Sequence, residues 1–170
     1  MIDVNSALAA NRDAITDLIG AAEQSAKVWT TPRAPGKWSP SQVVEHVARS
    51  LDESANVVSG ALSKFPNLPF FLRPVARGLL FNRVLKKGTF PKAKTNKAMN
   101  PASGPATTTE ARVRLTGALV RFDRACRTCA QAGGTVASAT FGDVSVVDYA
   151  RFTEVHTRHH RKQVLGASAE

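Results

Sequence analysis

The sequence predicts an all-α protein: a four-helix bundle with one long irregular connection between its second and third helices. Three observations favour this fold class. Apolar residues recur at helical spacing in four long segments. Aromatic residues make up only 6% of the chain, which suits helix packing better than a β-sandwich. An α+β domain would need strands, and the only candidate, residues 135–141, is too short and isolated to build a sheet. We expect residues 1–170 to form a single domain.

The first two predicted helices are separated by residues 30–36, a loop that contains proline and glycine. The first helix should run from about residue 4 to residue 27. The second should begin after Ser39, because a serine hydroxyl can accept a bond from free N–H groups and Pro40 suits the first helical position. Its apolar stripe predicts an end near Leu62.

The other two long helices lie in the C-terminal third of the chain. One should begin near Thr108 and stop at Gly133-Gly134, where glycines end the apolar stripe. Ser145 is the predicted N-cap of the last helix, residues 146–165. Cys126 and Cys129 form a Cys-x-x-Cys on the apolar stripe of the third helix. We interpret them as two buried small residues, since redox-active pairs open a helix after a strand.

The connecting segment, residues 64–105, carries most of the net charge of +10. Six prolines interrupt it, and no Asp or Glu occurs between Ser54 and Thr109. It contains nine basic residues: Lys64, Arg73, Arg77, Arg83, Lys86, Lys87, Lys92, Lys94 and Lys97. A short helix is expected over residues 73–86 and an extended loop over residues 88–104.

The short helix of the connecting segment combines apolar and basic residues, which leaves its role open. We favour the interpretation that its apolar side caps the bundle while its charges are solvated. The alternatives are contact with an anionic membrane surface, with nucleic-acid phosphates or with a protein partner. If the substrate is an anionic small molecule, the same charges would steer it electrostatically toward the site.

All four histidines lie in two short patches, which makes a metal site the leading functional hypothesis. On a helical wheel His156 and His160 share the inward face with Tyr149, and a spacing of four lets both reach one ion. His159 lies about 60° away, as a substitute ligand or a supporting donor. His46, on the second helix, can face the same interior. Neutral imidazole is the commonest ligand for transition metals in proteins.

Each of these histidines also has a simpler interpretation. A single inward histidine such as His46 is usually a hydrogen-bonded core residue, and residues 159–162 would suit a solvated basic helix end.

Near the site, Gln163 can orient a ligand or be a polar residue at a frayed helix end. Glu45 can support His46, but a solvated carboxylate is the favoured interpretation. Tyr149 can place its hydroxyl near the site, although we favour core packing for it.

Two motifs in these patches resemble the DinB/YfiT-like superfamily. Residues 37–40, Lys-Trp-Ser-Pro, followed by Val-Glu-His-Val at 44–47, are similar to its second helix, where a tryptophan, a Ser or Thr cap and a histidine recur. Residues 152–163, with the pattern His-x-x-His-His-x-x-Gln, are similar to its last helix, as found in a branch of uncharacterised bacterial proteins. The connecting segment does not match the family pattern.

The resemblance implies a four-helix bundle that holds a divalent metal, often zinc or nickel, through three histidines. By position these are His46, His156 and His160. Characterised relatives include transferases and isomerases that use a low-molecular-weight thiol, and hydrolase-like members; many form homodimers. The alternative is a non-enzymatic module whose basic connecting segment binds membrane, nucleic acid or a protein. The absence of a signal-like N-terminus or of an apolar run of about 18 residues leads us to expect a cytoplasmic protein.

Overall fold

The computed structural model describes residues 3–91 and 95–166. Lys92 and Lys94 of the predicted basic run lie outside the described residues. Four long helices form the bundle: α1 (Val4–Gln24), α2 (Pro40–Ser59), α5 (Thr108–Gln131) and α6 (Val146–Leu165). α2 packs mainly against α5, and α1 packs mainly against α6. The predicted all-α bundle is therefore confirmed. None of the helices in the described part of the chain is long and apolar enough to cross a membrane.

The starts of α2 and α6 lie at the serine caps that the sequence predicts. The Ser39 hydroxyl accepts from the backbone N–H of Gln42, whose side chain accepts in turn from the Ser39 N–H. The Ser145 hydroxyl accepts from the N–H of Asp148. The predicted end of α2 near Leu62 is wrong. Gly60 adopts a left-handed conformation that ends the helix at Ser59, and Leu62 is 98% exposed.

A small antiparallel hairpin joins α5 to α6, which corrects the expectation that residues 135–141 build no sheet. Strand β1 (Thr135–Ser138) pairs with β2 (Gly142–Ser145). The partner strand was missed because it follows after only three residues and is itself four residues long. Val136, Ser138 and Val144 are the buried residues of the pair, so the hairpin closes one end of the core.

The connecting segment contains a helical stretch of residues 70–87, which we call the basic helical segment. It consists of a 3₁₀ turn (Phe70–Leu72), α3 (Arg73–Ala76), a π turn (Arg77–Asn82) and α4 (Arg83–Lys87). Phe81 and Val84 are buried. The Phe81 ring stacks on Phe152 of α6 with 5.0 Å between ring centroids. One side of the segment therefore packs on the bundle, as expected.

The remainder of the connecting segment returns along the start of α2. The predicted extended loop 88–104 includes a 3₁₀ turn at Lys97–Met99, which the sequence pattern did not indicate. The Ser41 hydroxyl and the Trp29 indole N–H both donate to the carbonyl oxygen of Pro105, at 2.7 and 2.8 Å. These bonds fix the segment beside the first turn of α2, the helix that carries His46.

Candidate metal centre

Three histidines from two helices converge at one point inside the bundle. His46 is on α2, and His156 and His160 lie one turn apart on α6. Nε2 of His156 lies 3.3 Å from Nε2 of His46 and 3.1 Å from Nε2 of His160. One ligating nitrogen from each ring lies within 4.8 Å of the others, so the group has the geometry to hold a metal ion. The structure thus brings together the three histidines that the sequence singles out.

The outer nitrogens of two rings are held by oxygen atoms. Nδ1 of His46 lies 2.8 Å from the backbone carbonyl oxygen of Met99. Nδ1 of His160 lies 2.9 Å from Oε1 of Gln163. Since a carbonyl oxygen can only accept, each Nδ1 carries the proton and donates it. In a neutral imidazole the Nε2 of the same ring is then left with a free lone pair.

With the protons on Nδ1, the three inward-facing Nε2 atoms cannot all form hydrogen bonds with one another. The Nε2 atoms of His46 and His160 present lone pairs, and Nε2 of His156 can donate one proton at most. At least one inward lone pair therefore has no hydrogen to accept among these rings. A cation at the centre would satisfy all three. Tetrahedral zinc with ordinary Zn–N bonds would separate its nitrogens by about 3.3 Å, which matches the two measured separations.

Burial keeps these rings neutral. Removal from water lowers the pKa of His46, although the bond to Met99 opposes this. Burial lowers the pKa of His156 and His160 well below the usual value for histidine. Repulsion from the neighbouring rings adds to this effect. Neutral imidazole is the form that ligates metals, so the site is ready to bind a cation at neutral pH.

His159 lies beside the three rings rather than among them. Its Nε2 is 3.1 Å from Nε2 of Gln163, so the amide donates to His159 while its oxygen accepts from His160. Gln163 therefore links the two adjacent histidines and holds both rings. The Gln163 side chain is thus engaged with two histidine rings, and the His159 ring lies outside the three converging nitrogens.

Glu45 does not reach the site. Its two carboxylate oxygens accept from Arg49 of the same helix at 2.8 Å and from Arg114 of α5 at 3.2 Å. The possible supporting role of Glu45 is therefore not borne out by its position. Neighbouring residues of a helix point about 100° apart, and this rotation directs Glu45 toward α5 while His46 faces α6.

A cavity of about 1280 Å³ opens onto the three histidines. None of the described residues that line it is acidic, whereas Arg33 and Lys37 contribute positive charge. Ser50, Ser54 and Thr153 are among its polar lining residues. Its aromatic lining residues are Trp38, Phe65, Phe90, Phe141, Tyr149 and Phe152. The described lining therefore combines aromatic rings with uncharged polar and basic side chains and contains no carboxylate.

Two aromatic neighbours of the histidines were not assigned to the site from the sequence. The Trp38 ring lies 4.9 Å from that of His46, and its indole N–H donates to Asn100. The Phe90 ring lies 5.2 Å from that of His156. Trp38 lies one residue before the N-cap of α2, outside the helical stripe that the sequence pattern describes. Phe90 lies in the irregular loop, where no periodicity reveals the direction of a side chain.

Tyr149 and Cys126 match the simpler interpretations, whereas Cys129 is not buried as expected. Tyr149 is 3% exposed on the cavity wall, and burial raises the pKa of its hydroxyl. Its ring packs 6.5 Å from that of Phe81. Cys126 is fully buried, and burial raises its pKa to about 12. Cys129 is partly buried, and its Sγ lies 3.4 Å from the carbonyl oxygen of Thr135.

Comparison with known proteins identifies a family for most of the chain. A model described as the DinB superfamily matches residues 7–164, which span all but the outermost residues of the four bundle helices and include the three histidines of the candidate metal centre. No curated protein and no solved structure matches the chain.

Proposed function

Because the chain belongs to the DinB superfamily, we propose that it is a metal-dependent enzyme whose divalent ion is held by His46, His156 and His160. The observation that carries the proposal is the convergence of three Nε2 atoms whose rings are already oriented. His46 is fixed by Met99 and His160 by Gln163. Histidines that bind metal usually donate the other N–H in this way.

The donor set favours zinc or nickel over the harder cations. Imidazole nitrogens suit zinc, copper, iron and nickel, whereas magnesium and calcium prefer oxygen ligands. Three protein ligands leave at least one position for a water or a substrate atom, as in catalytic rather than structural sites. When bound, the ion supplies a Lewis acid that lowers the pKa of a water or a thiol and so makes it nucleophilic at neutral pH.

The cavity favours a transferase with two substrates, with a hydrolase as the alternative. Small-molecule pockets usually enclose roughly 300–1,000 Å³, so a cavity of about 1280 Å³ has room for a low-molecular-weight thiol beside a second substrate. The charges of Arg33 and Lys37 and the absence of acidic groups among the described lining residues suit an anionic substrate. Transfer is the favoured alternative because the cavity has room for two substrates at once.

Metal content tests the proposal. We expect the protein to take up one divalent ion per chain, measured by elemental analysis after zinc or nickel loading and desalting. His46→Ala, His156→Ala and His160→Ala should each lose stoichiometric binding. His159→Ala should keep stoichiometric uptake, because its ring contacts Gln163 and is not one of the three that converge. A wild-type protein that takes up no stoichiometric metal under replete conditions would contradict the proposal.

The choice between transfer and hydrolysis needs a second assay. The loaded protein is incubated with a panel of low-molecular-weight thiols and electrophilic acceptors, and loss of free thiol is followed. A transferase consumes thiol and acceptor together, and His156→Ala abolishes the consumption. Thiol-independent cleavage of ester or amide substrates by the loaded protein would instead support a hydrolase.

A further inference from the structure

The basic helical segment, residues 70–87, exposes a cluster of large apolar side chains that the bundle does not cover. Their exposed fractions run from 42% for Leu72 to 79% for Phe70. Single exposed apolar residues are common on proteins, but contiguous ones mark an interaction surface. The members of this cluster are Phe70, Phe71, Leu72, Val75 and Leu79.

Exposure, rather than regular helical spacing, defines the solvent-facing side of the segment. Phe71, Val75 and Leu79 lie in the 3₁₀ turn, α3 and the π turn respectively, and each is more than half exposed. Phe81 and Val84 occupy the opposite side and are buried against the bundle. The segment is therefore anchored to the protein by one apolar side and presents a second apolar side to solvent.

Basic side chains follow the exposed cluster along the chain. Arg83, Lys86 and Lys87 are exposed in the last turn of the segment. Arg73 and Arg77 donate to the backbone carbonyl oxygens of Leu68 and Asp143, at 2.9 and 2.8 Å. The sequence has no acidic residue from Ser54 to Thr109, so no carboxylate of the segment itself neutralises these charges.

We propose that the basic helical segment docks on an anionic membrane surface. Phe70, Phe71, Leu72, Val75 and Leu79 enter the boundary between headgroups and acyl chains, and the basic residues contact lipid phosphates. A helix with an apolar face and Lys or Arg beside it binds interfaces in this way. Charge complementarity favours this partner over a second copy of the chain, which would bring like charges together. Nucleic acid would neutralise the charges but would leave Leu72, Val75 and Leu79 without a partner.

Vesicle flotation with the full chain tests the proposal. We expect binding to phosphatidylcholine vesicles that contain phosphatidylglycerol, and little binding to phosphatidylcholine alone. Phe71→Ser with Leu79→Ser should lower the partition coefficient at least about tenfold, because two large apolar side chains no longer leave water. Lys86→Ser with Lys87→Ser should lower it by roughly tenfold at low ionic strength and less at high salt.

Matched variants separate a docking surface from general effects on charge or folding. Val113→Ser with Val120→Ser removes two similarly exposed apolar residues of α5, and Lys27→Ser removes an exposed charge elsewhere. Both controls should bind vesicles like the wild type, and all variants should keep the wild-type thermal midpoint. Equal binding to neutral and anionic vesicles, or equal loss in the controls, would overturn the proposal. So would salt-sensitive binding to duplex DNA without vesicle binding, or concentration-dependent dimerisation that Phe71→Ser with Leu79→Ser abolishes.

Discussion

Nδ1 of His46 donates to the backbone carbonyl oxygen of Met99, a residue 53 positions further along the chain. Met99 belongs to the connecting segment, and its 3₁₀ turn packs beside α2. The segment that the sequence marks as an irregular excursion therefore orients one ring of the candidate metal centre. Because the acceptor is a backbone atom, the sequence shows no residue type that would reveal this contact.

Gln163 offers a test of ring orientation on the other helix. Gln163→Leu removes the acceptor for Nδ1 of His160 and leaves the ring free to turn. We expect the metal dissociation constant to rise by roughly 10- to 100-fold, the usual effect of removing such a partner. Competition with a chromophoric zinc chelator measures it.

Two further variants show whether the lost hydrogen bond is the cause. Gln163→Glu keeps an acceptor and should restore most of the affinity, whereas Gln131→Leu, at the exposed end of α5, should leave it unchanged. If Gln163→Leu binds zinc as tightly as the wild type, Gln163 has no orienting role.

The metal-free protein should lose stability as the pH falls below about 6.5, the usual pKa of histidine. Burial lowers the pKa of His46, His156 and His160, so the unfolded chain binds protons that the folded chain does not. The free energy of unfolding then rises with pH across this window, by up to about 1.4 kcal/mol per pH unit for each histidine that stays neutral. Urea denaturation between about pH 5 and pH 8 measures the slope.

The free energy of unfolding should depend less on pH when one of the three converging histidines is removed. His156→Leu takes away one group that the folded state keeps neutral, so the pH dependence below about 6.5 should weaken. His159→Leu is the comparison on the same helix: burial lowers the pKa of His159 less strongly, so its removal should weaken the pH dependence less. A wild-type free energy of unfolding that stays constant from about pH 7 to pH 5 would contradict the prediction.

Cys126 should be unreactive in the folded protein. With a pKa of about 12, the thiol is only about 0.01% thiolate at pH 8, and thiolate is the nucleophile. Iodoacetamide at pH 8 should leave Cys126 unmodified until the protein is denatured, as read by peptide mass spectrometry. Cys126→Ser should retain the labelling of the more accessible Cys129, and Cys129→Ser should abolish native labelling. Rapid native labelling of Cys126 would show that α5 opens readily.

The bundle and its histidines could be predicted because both are encoded locally. Ser39 and Ser145 are capping residues directly before an apolar stripe, and both caps form. The spacing of His156 and His160 fixes their common face once α6 is helical. The hairpin was missed because Gly142–Ser145 is too short to show an alternating pattern.

The surroundings of the metal centre depend on contacts that local patterns do not encode. Phe90 reaches His156 from a loop without periodicity, and Trp38 lies beside His46 because the chain turns just before α2. Glu45 was expected to be a solvated carboxylate, but its side chain is only 15% exposed and pairs with Arg114 of another helix. Long-range pairing of this kind follows from the packing of α2 on α5.

Gly104 is the position where the connecting segment passes closest to α2. A Cβ atom there would overlap the backbone carbonyl of Ser41, which cannot move without disturbing the first turn of the helix. We expect Gly104→Ala to lower the free energy of unfolding by roughly 1–3 kcal/mol, as overpacking does elsewhere.

Gly117→Ala is the matched control. It lies on the exposed side of α5 with no atom near the added carbon, and should stabilise the protein by about 0.5–1 kcal/mol. Chemical denaturation of both variants measures the difference. Equal stability of the two would mean that the segment can shift away from α2, and with it the carbonyl that orients His46.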